Sequence, residues 1–132
     1  MKNYYLGTLL FLVFTSNFAQ NVRPDFSETQ TKTMISHQWK LSFLEYNGVR
    51  KEIPAKLPTS ILSFMQDGKM LETDGKNKYD GKWSYTHTTH TITTTDKDGT
   101  EHHKIIQITD KELIMDGKFM GRAFNMGFSR ID

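Results

Sequence analysis

The sequence contains no cysteine among its 132 residues. This absence excludes disulfides, thiolate metal ligands, cysteine nucleophiles and thiol redox chemistry. It also excludes the attachment of a lipid to a mature N-terminal cysteine after export. A small domain without these covalent supports depends on its apolar core for stability.

The chain also lacks an apolar run long enough to span a bilayer, for which about 20 residues are needed. Its longest largely apolar stretch covers the eleven residues from Tyr4 to Phe14, with Lys2 before it and Ala19 after it. This arrangement is typical of a secretory signal peptide. We therefore predict a signal peptide over residues 1–20, no stable membrane span, and a location in the periplasm or outside the cell.

Neither sign of charge dominates, because 17 Lys and Arg stand against 15 Asp and Glu, a net charge of +2. No strong field points to nucleic acid or to an anionic membrane as a partner. Of 48 apolar residues, 12 lie in positions 1–20, so 36 remain for the mature chain. We predict a polar N-terminal segment over residues 21–34, either a linker or a short helical turn, and one domain over residues 35–132.

From Ile35 onward, apolar residues recur with a period of two, which indicates β-strands. Turns are predicted at Asn47-Gly48, Asp67-Gly68, Asp74-Gly75, Asp96–Gly99 and Asp116-Gly117, where glycine follows a short polar residue, and a bulge or bend at Asp80-Gly81. A longer loop is predicted over residues 47–58. Thr88-Thr89 is either a tight turn or the middle of a strand over residues 82–95. No parallel crossover fits these spacings, so about eight strands predict an all-β, antiparallel up-and-down barrel.

The order of several short motifs resembles the small lipocalin-like domains that diderm bacteria export. The motifs are Trp39-Lys40-Leu41, Phe64 with Asp67-Gly68-Lys69, Gly81-Lys82-Trp83, Leu113 and Arg130. The resemblance covers residues 35–132 and implies a lipocalin-like barrel. It also implies that Trp39 closes one barrel end and that Arg130 packs across its ring. Arg130 shares a strand face with Phe124, Met126 and Phe128, so we predict its guanidinium within about 6 Å of the Trp39 ring.

The resemblance further implies a small hydrophobic or amphiphilic ligand inside the barrel. We predict six ligand-binding residues from the inward-facing positions: Phe43, Phe64, Trp83, Tyr85, Phe124 and Met126. Ten bulky groups compete for the interior of this short barrel: these six with Trp39, Leu41, Leu62 and Phe128. The alternative is therefore a filled barrel that acts as an interaction, structural or inhibitor module of the cell envelope. Its partner would be an envelope or secreted protein that contacts the loop over residues 47–58.

Polar residues concentrate in the middle of the chain. Four of the five histidines, His87, His90, His102 and His103, lie near Glu101, a set that zinc or copper could accept. Adjacent His102 and His103 must point to opposite faces of a strand, so we predict solvated side chains and no metal site. Seven of the ten residues from Thr86 to Thr95 are threonine. This strand is either an edge or the inner wall of a wet cavity.

No set of residues in the sequence supports catalysis. The chain has no Gly-x-Ser-x-Gly motif and no glycine cluster that could hold a phosphate. The C-terminal methionines, Met115, Met120 and Met126, are interpreted as core packing with their phenylalanine neighbours. We predict a monomer with no cofactor and no enzymatic activity.

Overall fold

The computed structural model describes residues 25–132. The predicted signal peptide over residues 1–20 lies outside the described residues, as does the start of the polar segment. One helix and nine strands make up the described part of the chain. They are α1 (Glu28–Ile35), β1 (Gln38–Tyr46), β2 (Val49–Glu52), β3 (Ile61–Phe64), β4 (Lys69–Asp74), β5 (Asn77–Thr86), β6 (Thr91–Asp96), β7 (Gly99–Ile108), β8 (Glu112–Phe119) and β9 (Arg122–Arg130).

Eight antiparallel strands close into a barrel. Strands β3 to β9 pair in chain order, and β1 pairs with β3 on one side and with β9 on the other. Strand β2 is an additional strand that forms a hairpin with the second half of β1. The predicted all-β, antiparallel up-and-down barrel is therefore confirmed. Because the sheet closes on itself, the barrel strands have no free edge between them.

The turn predictions were right at most positions and wrong at two. Strand β2 occupies Val49–Glu52, so the predicted loop over residues 47–58 begins as a hairpin instead. Asp116-Gly117 lies inside β8, and the turn follows at Met120-Gly121. There both residues adopt positive φ, 51° for Met120 and 77° for Gly121. Two consecutive residues of this kind match the twist of a hairpin, which explains why the chain turns there.

Strand β6 lies in the middle of the sheet. It pairs with β5 over Thr91–Thr95 and with β7 over Thr91–Asp96. Residues 87–90 form a turn, and the His90 amide donates to the His87 carbonyl oxygen over 3.2 Å. The edge-strand interpretation of the threonine run is therefore wrong, because barrel closure gives this strand a partner on each side. The tight-turn interpretation of Thr88-Thr89 is confirmed.

Helix α1 covers one end of the barrel. Ile35 at its C-terminus is completely buried, as is Trp39 at the start of β1. The Trp39 Nε1–H donates to the Ile35 carbonyl oxygen over 2.9 Å, and Met34 packs against the core. The polar segment thus contains a genuine two-turn helix with a buried C-terminus, and we call this end of the barrel the closed end.

A capping box fixes the start of α1. The Gln30 amide donates to Ser27 Oγ over 3.1 Å, and the Ser27 amide donates to Gln30 Oε1 over 2.9 Å. Ser27→Ala should lower the free energy of unfolding by about 1 kcal/mol, because it leaves the Gln30 amide without its side-chain acceptor. Urea unfolding would measure the change. Ser36→Ala, at the other end of the helix, should cost less, and equal costs would contradict a specific role for the cap.

A β-bulge divides β1 into two halves. Leu41 lies opposite Phe128, but Phe43 lies opposite Gly127, so Ser42 is the extra residue. Phe128 belongs to the core, and its neighbour Gly127 must therefore face outward. Phe43 then faces outward too, with the Arg50 guanidinium 3.6 Å from its ring centroid. The prediction that Phe43 points into the barrel is wrong, because the bulge shifts the alternation by one residue.

The core fills the half of the barrel next to the closed end. It consists of large side chains from nearly every barrel strand, among them Trp39, Phe64, Trp83, Tyr85, Ile92, Ile105, Leu113 and Phe128. Trp83 packs edge-on against Phe64 with the ring centroids 5.3 Å apart. Across residues 25–132, no helix has the length and apolarity needed to cross a membrane.

Candidate functional site

A cavity of about 430 Å³ occupies the half of the barrel away from α1. Its apolar wall comes from β1, β3, β4, β8 and β9. The apolar lining residues are Leu41, Leu62, Phe64, Met70, Met115, Phe124, Met126 and Phe128. The volume lies within the range of about 300–1,000 Å³ that is usual for small-molecule sites.

Two features of the sequence leave this space open. The bulge places the Phe43 ring outside the barrel. Without the bulge, this large ring would point into the interior. Small residues face the cavity from three other strands or their flanks, namely Ser60, Thr94 and Gly117. An ideal Cβ at Gly117 would lie 3.1 Å from the tips of Phe124 and Met126. Thus the ten bulky residues do not fill the whole interior, because Phe43 lies outside it and several of the others line the cavity.

The remaining wall of the cavity is acidic. Glu72 on β4, Asp96 on β6 and Glu101 on β7 line it together with Asp98 from the turn between β6 and β7. Burial, together with the negative charges of Asp74, Glu101 and Asp96, raises the pKa of Glu72 above its usual range, while His103 opposes the shift. The site therefore joins an apolar floor to a negatively charged rim.

Three of the six predicted ligand-binding residues line the cavity: Phe64, Phe124 and Met126. Trp83 and Tyr85 lie deeper, in the packed core. The Trp83 Nε1–H donates to the Met65 carbonyl oxygen over 2.7 Å. This hydrogen bond holds the start of the connection between β3 and β4. Phe43 lies on the outer face, as described above. The ligand-binding role of the three lining residues stays a prediction.

Trp39 and Arg130 are direct partners across β1 and β9, as their positions in the sequence suggested. The guanidinium nevertheless donates from Nε to Asp132 Oδ1 over 3.2 Å and from Nη1 to the Asp110 carbonyl oxygen over 3.4 Å. Between residues 25 and 132, the cation–π contacts are formed by Arg50 and Arg122, not by Arg130. The predicted stacking on Trp39 is wrong, because charged and carbonyl acceptors hold the guanidinium at the terminus.

The four histidines of the middle segment lie in three separate places. His87 Nδ1 and His90 Nδ1 lie 3.0 and 3.1 Å from the Tyr85 hydroxyl at the closed end. His103 faces the cavity, with Nδ1 2.9 Å from the Asp116 carbonyl oxygen and Nε2 3.2 Å from Glu101 Oε2. His102 instead contacts Thr93 Oγ1 over 2.9 Å on the outer face. Within the described range, no three His, Asp or Glu residues are grouped so that they could hold a metal ion.

Comparison with known proteins identifies the family. A model of the lipocalin-like domain matches residues 35–115, and the chain belongs to this family. A crystal structure of a lipocalin-like protein from Bacteroides uniformis is similar, with a TM-score of 0.56 and 14% sequence identity. The alignment covers 74% of this chain and 99% of that one. At this level of identity the likeness concerns the fold alone. The search of curated proteins gave no match.

Proposed function

We propose that this lipocalin-like protein is an exported binding protein whose barrel holds a small amphiphilic ligand without converting it chemically. The observation that carries this proposal is the cavity of about 430 Å³ with an apolar floor and a polar rim. Such a combination gives burial energy from the floor and orientation from the rim. Export is supported by the pattern of residues 1–20 in the sequence, and sequencing the N-terminus of the secreted protein would test it.

The alternative, a filled barrel that acts through its surface, receives less support. The cavity of about 430 Å³ leaves part of the interior unfilled, which favours ligand binding over that alternative. Exposed apolar tips do occur at the end opposite α1. Val49 and Phe119 are each 69% exposed, and Met120 is 87% exposed. Their position at the cavity end is also suited to guiding an amphiphile into the barrel.

Binding can be tested with a neutral apolar dye, N-phenyl-1-naphthylamine, whose fluorescence rises in an apolar site. Thr94 faces the cavity, whereas Thr95 is exposed on the opposite face of β6. Thr94→Phe should weaken dye binding at least tenfold, about 1.4 kcal/mol, because its ring occupies the ligand space. Thr95→Phe places the same ring outside and should leave binding unchanged.

The pair of variants also separates binding in the cavity from binding elsewhere. Both introduce one phenylalanine on the same strand, so an effect on solubility or on general surface apolarity should be common to them. Saturable binding to the protein and to Thr95→Phe, with loss only in Thr94→Phe, would support the proposal. No saturable binding to the unmodified protein, or equal binding to both variants, would refute it.

A further inference from the structure

The charges that line the cavity are strongly one-sided. Four carboxylates face it, from Glu72, Asp96, Asp98 and Glu101, whereas its basic lining consists of Lys118 and His103. The whole chain is nearly neutral, with 17 basic and 15 acidic side chains. The acidic wall is therefore a local property of the barrel interior and its rim, not a reflection of the overall composition.

Glu72 lies half-buried on this wall. Its neighbours on the same face of β4 are Met70, which is 5% exposed, and Asp74 at the strand end. Within residues 25–132, no ion pair joins the Glu72 carboxylate to another side chain. Three neighbouring carboxylates act against the charge of the half-buried Glu72 and His103 opposes them, a balance that is costly in the empty protein. A bound cation would remove that cost.

Glu101 and His103 show how a cation could be accommodated at the rim. The His103 ring lies beside two acceptors, the Asp116 carbonyl oxygen and the Glu101 carboxylate. Each of them needs an N–H group of the ring as its donor. Only the protonated ring can donate to both at once. When the ring is neutral and keeps its bond to Asp116, the Glu101 carboxylate, whose side chain is 73% exposed, is available to another cation.

The apolar and acidic lining residues concentrate on different strands, and β4 is the strand that contributes to both, with Met70 and Glu72. Leu41, Phe124, Met126 and Phe128 come from β1 and β9, whereas the carboxylates come from β4, β6 and β7 and from the adjoining turn. An occupant must therefore satisfy an apolar surface on one side and negative charge on the other. We infer that the ligand is an amphiphilic organic cation, an apolar body that carries an ammonium group, with the ammonium beside Glu72 and the body against β1 and β9. This inference rests on the proposed binding function.

Three probes with the same tail separate charge from apolar burial: octylammonium, 1-octanol and octanoate. Each is used at pH 7 to displace N-phenyl-1-naphthylamine from the protein. Octylammonium should displace the dye at least tenfold more effectively than octanoate, with 1-octanol between them. Equal displacement by the three probes, or stronger displacement by octanoate, would overturn the inference and point to Lys118 or to apolar burial alone.

Glu72→Gln tests the position of the ammonium group and keeps the side chain nearly isosteric. It should weaken the binding of octylammonium about tenfold, an amount equivalent to about 1.4 kcal/mol. The affinity for 1-octanol should stay unchanged. Asp80→Asn is the matched control, because Asp80 is exposed on the outer face of β5 and its loss changes the net charge equally. An equal effect of both variants on octylammonium would contradict a specific role for Glu72.

The two proposals fail in different ways. If the dye and 1-octanol bind but octylammonium has no advantage, the cationic ligand is refuted and the binding function stands. If no probe and no dye binds, the binding function itself is refuted. Unchanged affinity of Glu72→Gln for the dye confirms that this variant is folded, so a loss of octylammonium binding cannot be assigned to unfolding.

Discussion

Trp39→Ala should lower the free energy of unfolding by about 4 kcal/mol, which is typical of a large aromatic side chain removed from a core. Trp39 is completely buried between Ile35 of α1 and the inner faces of the first and last strands. Its loss leaves a void at the closed end, where the neighbouring side chains are already held by the barrel. The void also separates α1 from the core against which it packs.

Urea unfolding followed by Trp83 fluorescence would measure this change, because Trp83 remains as a buried reporter in the variant. Trp39→Phe is the matched control. It keeps an aromatic ring and loses the hydrogen bond to the Ile35 carbonyl oxygen, which still accepts the His37 amide over 2.7 Å. Its cost should be close to 1 kcal/mol, the usual value of one hydrogen bond. Equal costs for alanine and phenylalanine would contradict a packing role for the ring.

The barrel could be predicted because the sequence features that specify it lie within single strands and turns. Alternating apolar residues and two-residue turns specify hairpins, and consecutive hairpins leave few topologies. The Asp116-Gly117 pair shows the limit of this reasoning. Its glycine lies inside a strand and makes room for neighbours, because an added Cβ would lie 3.1 Å from the tips of Phe124 and Met126. A dipeptide pattern cannot distinguish a glycine that turns the chain from one that makes room for a neighbour.

The site was harder to predict than the fold. Phe64, Phe124 and Met126 could be assigned to the interior by alternation. Glu72 was missed, because only bulky apolar residues were predicted to line the ligand site. Alternation from Met70 would have placed Glu72 on the inner face, but only a closed barrel shows that Asp96 and Glu101 face it. Which strands meet across the interior depends on the register of the whole sheet, and no single segment contains that information.

The bulge at Ser42 is the other feature that the sequence did not reveal. Trp39, Leu41 and Phe43 alternate as a regular strand would, and nothing in the triplet marks an extra residue. The signal lies at the other end of the chain, at Gly127. Its missing side chain leaves room for the Phe43 ring between β1 and β8 on the outer face. A bulge that depends on a distant partner cannot be found by inspecting one strand.

Gly127→Ala should therefore lower the free energy of unfolding by about 2 kcal/mol, a typical cost of overpacking. An added Cβ would overlap Cε1, Cζ and Cδ1 of the Phe43 ring, which lies across this glycine. Urea unfolding would measure the loss. Gly117→Ala on β8 is the matched control, because its Cβ would meet the movable tips of Phe124 and Met126 at 3.1 Å. Its cost should be smaller, and an equal cost would contradict the special position of Gly127.

Phe43→Leu tests the same contact from the other side. When Phe43→Leu is combined with Gly127→Ala, the shorter leucine side chain should relieve the overlap with the new methyl group. The double variant should therefore lose less unfolding free energy than the sum of the two single losses, by at least about 0.5 kcal/mol. Strict additivity would show that the Phe43 ring does not oppose the new methyl group. Because Phe43 lies outside the barrel, Phe43→Leu alone should also leave N-phenyl-1-naphthylamine binding unchanged. These results would show that Phe43 stabilises the bulge on the outer face. They would also show that the ligand occupies the space that the bulge leaves inside the barrel.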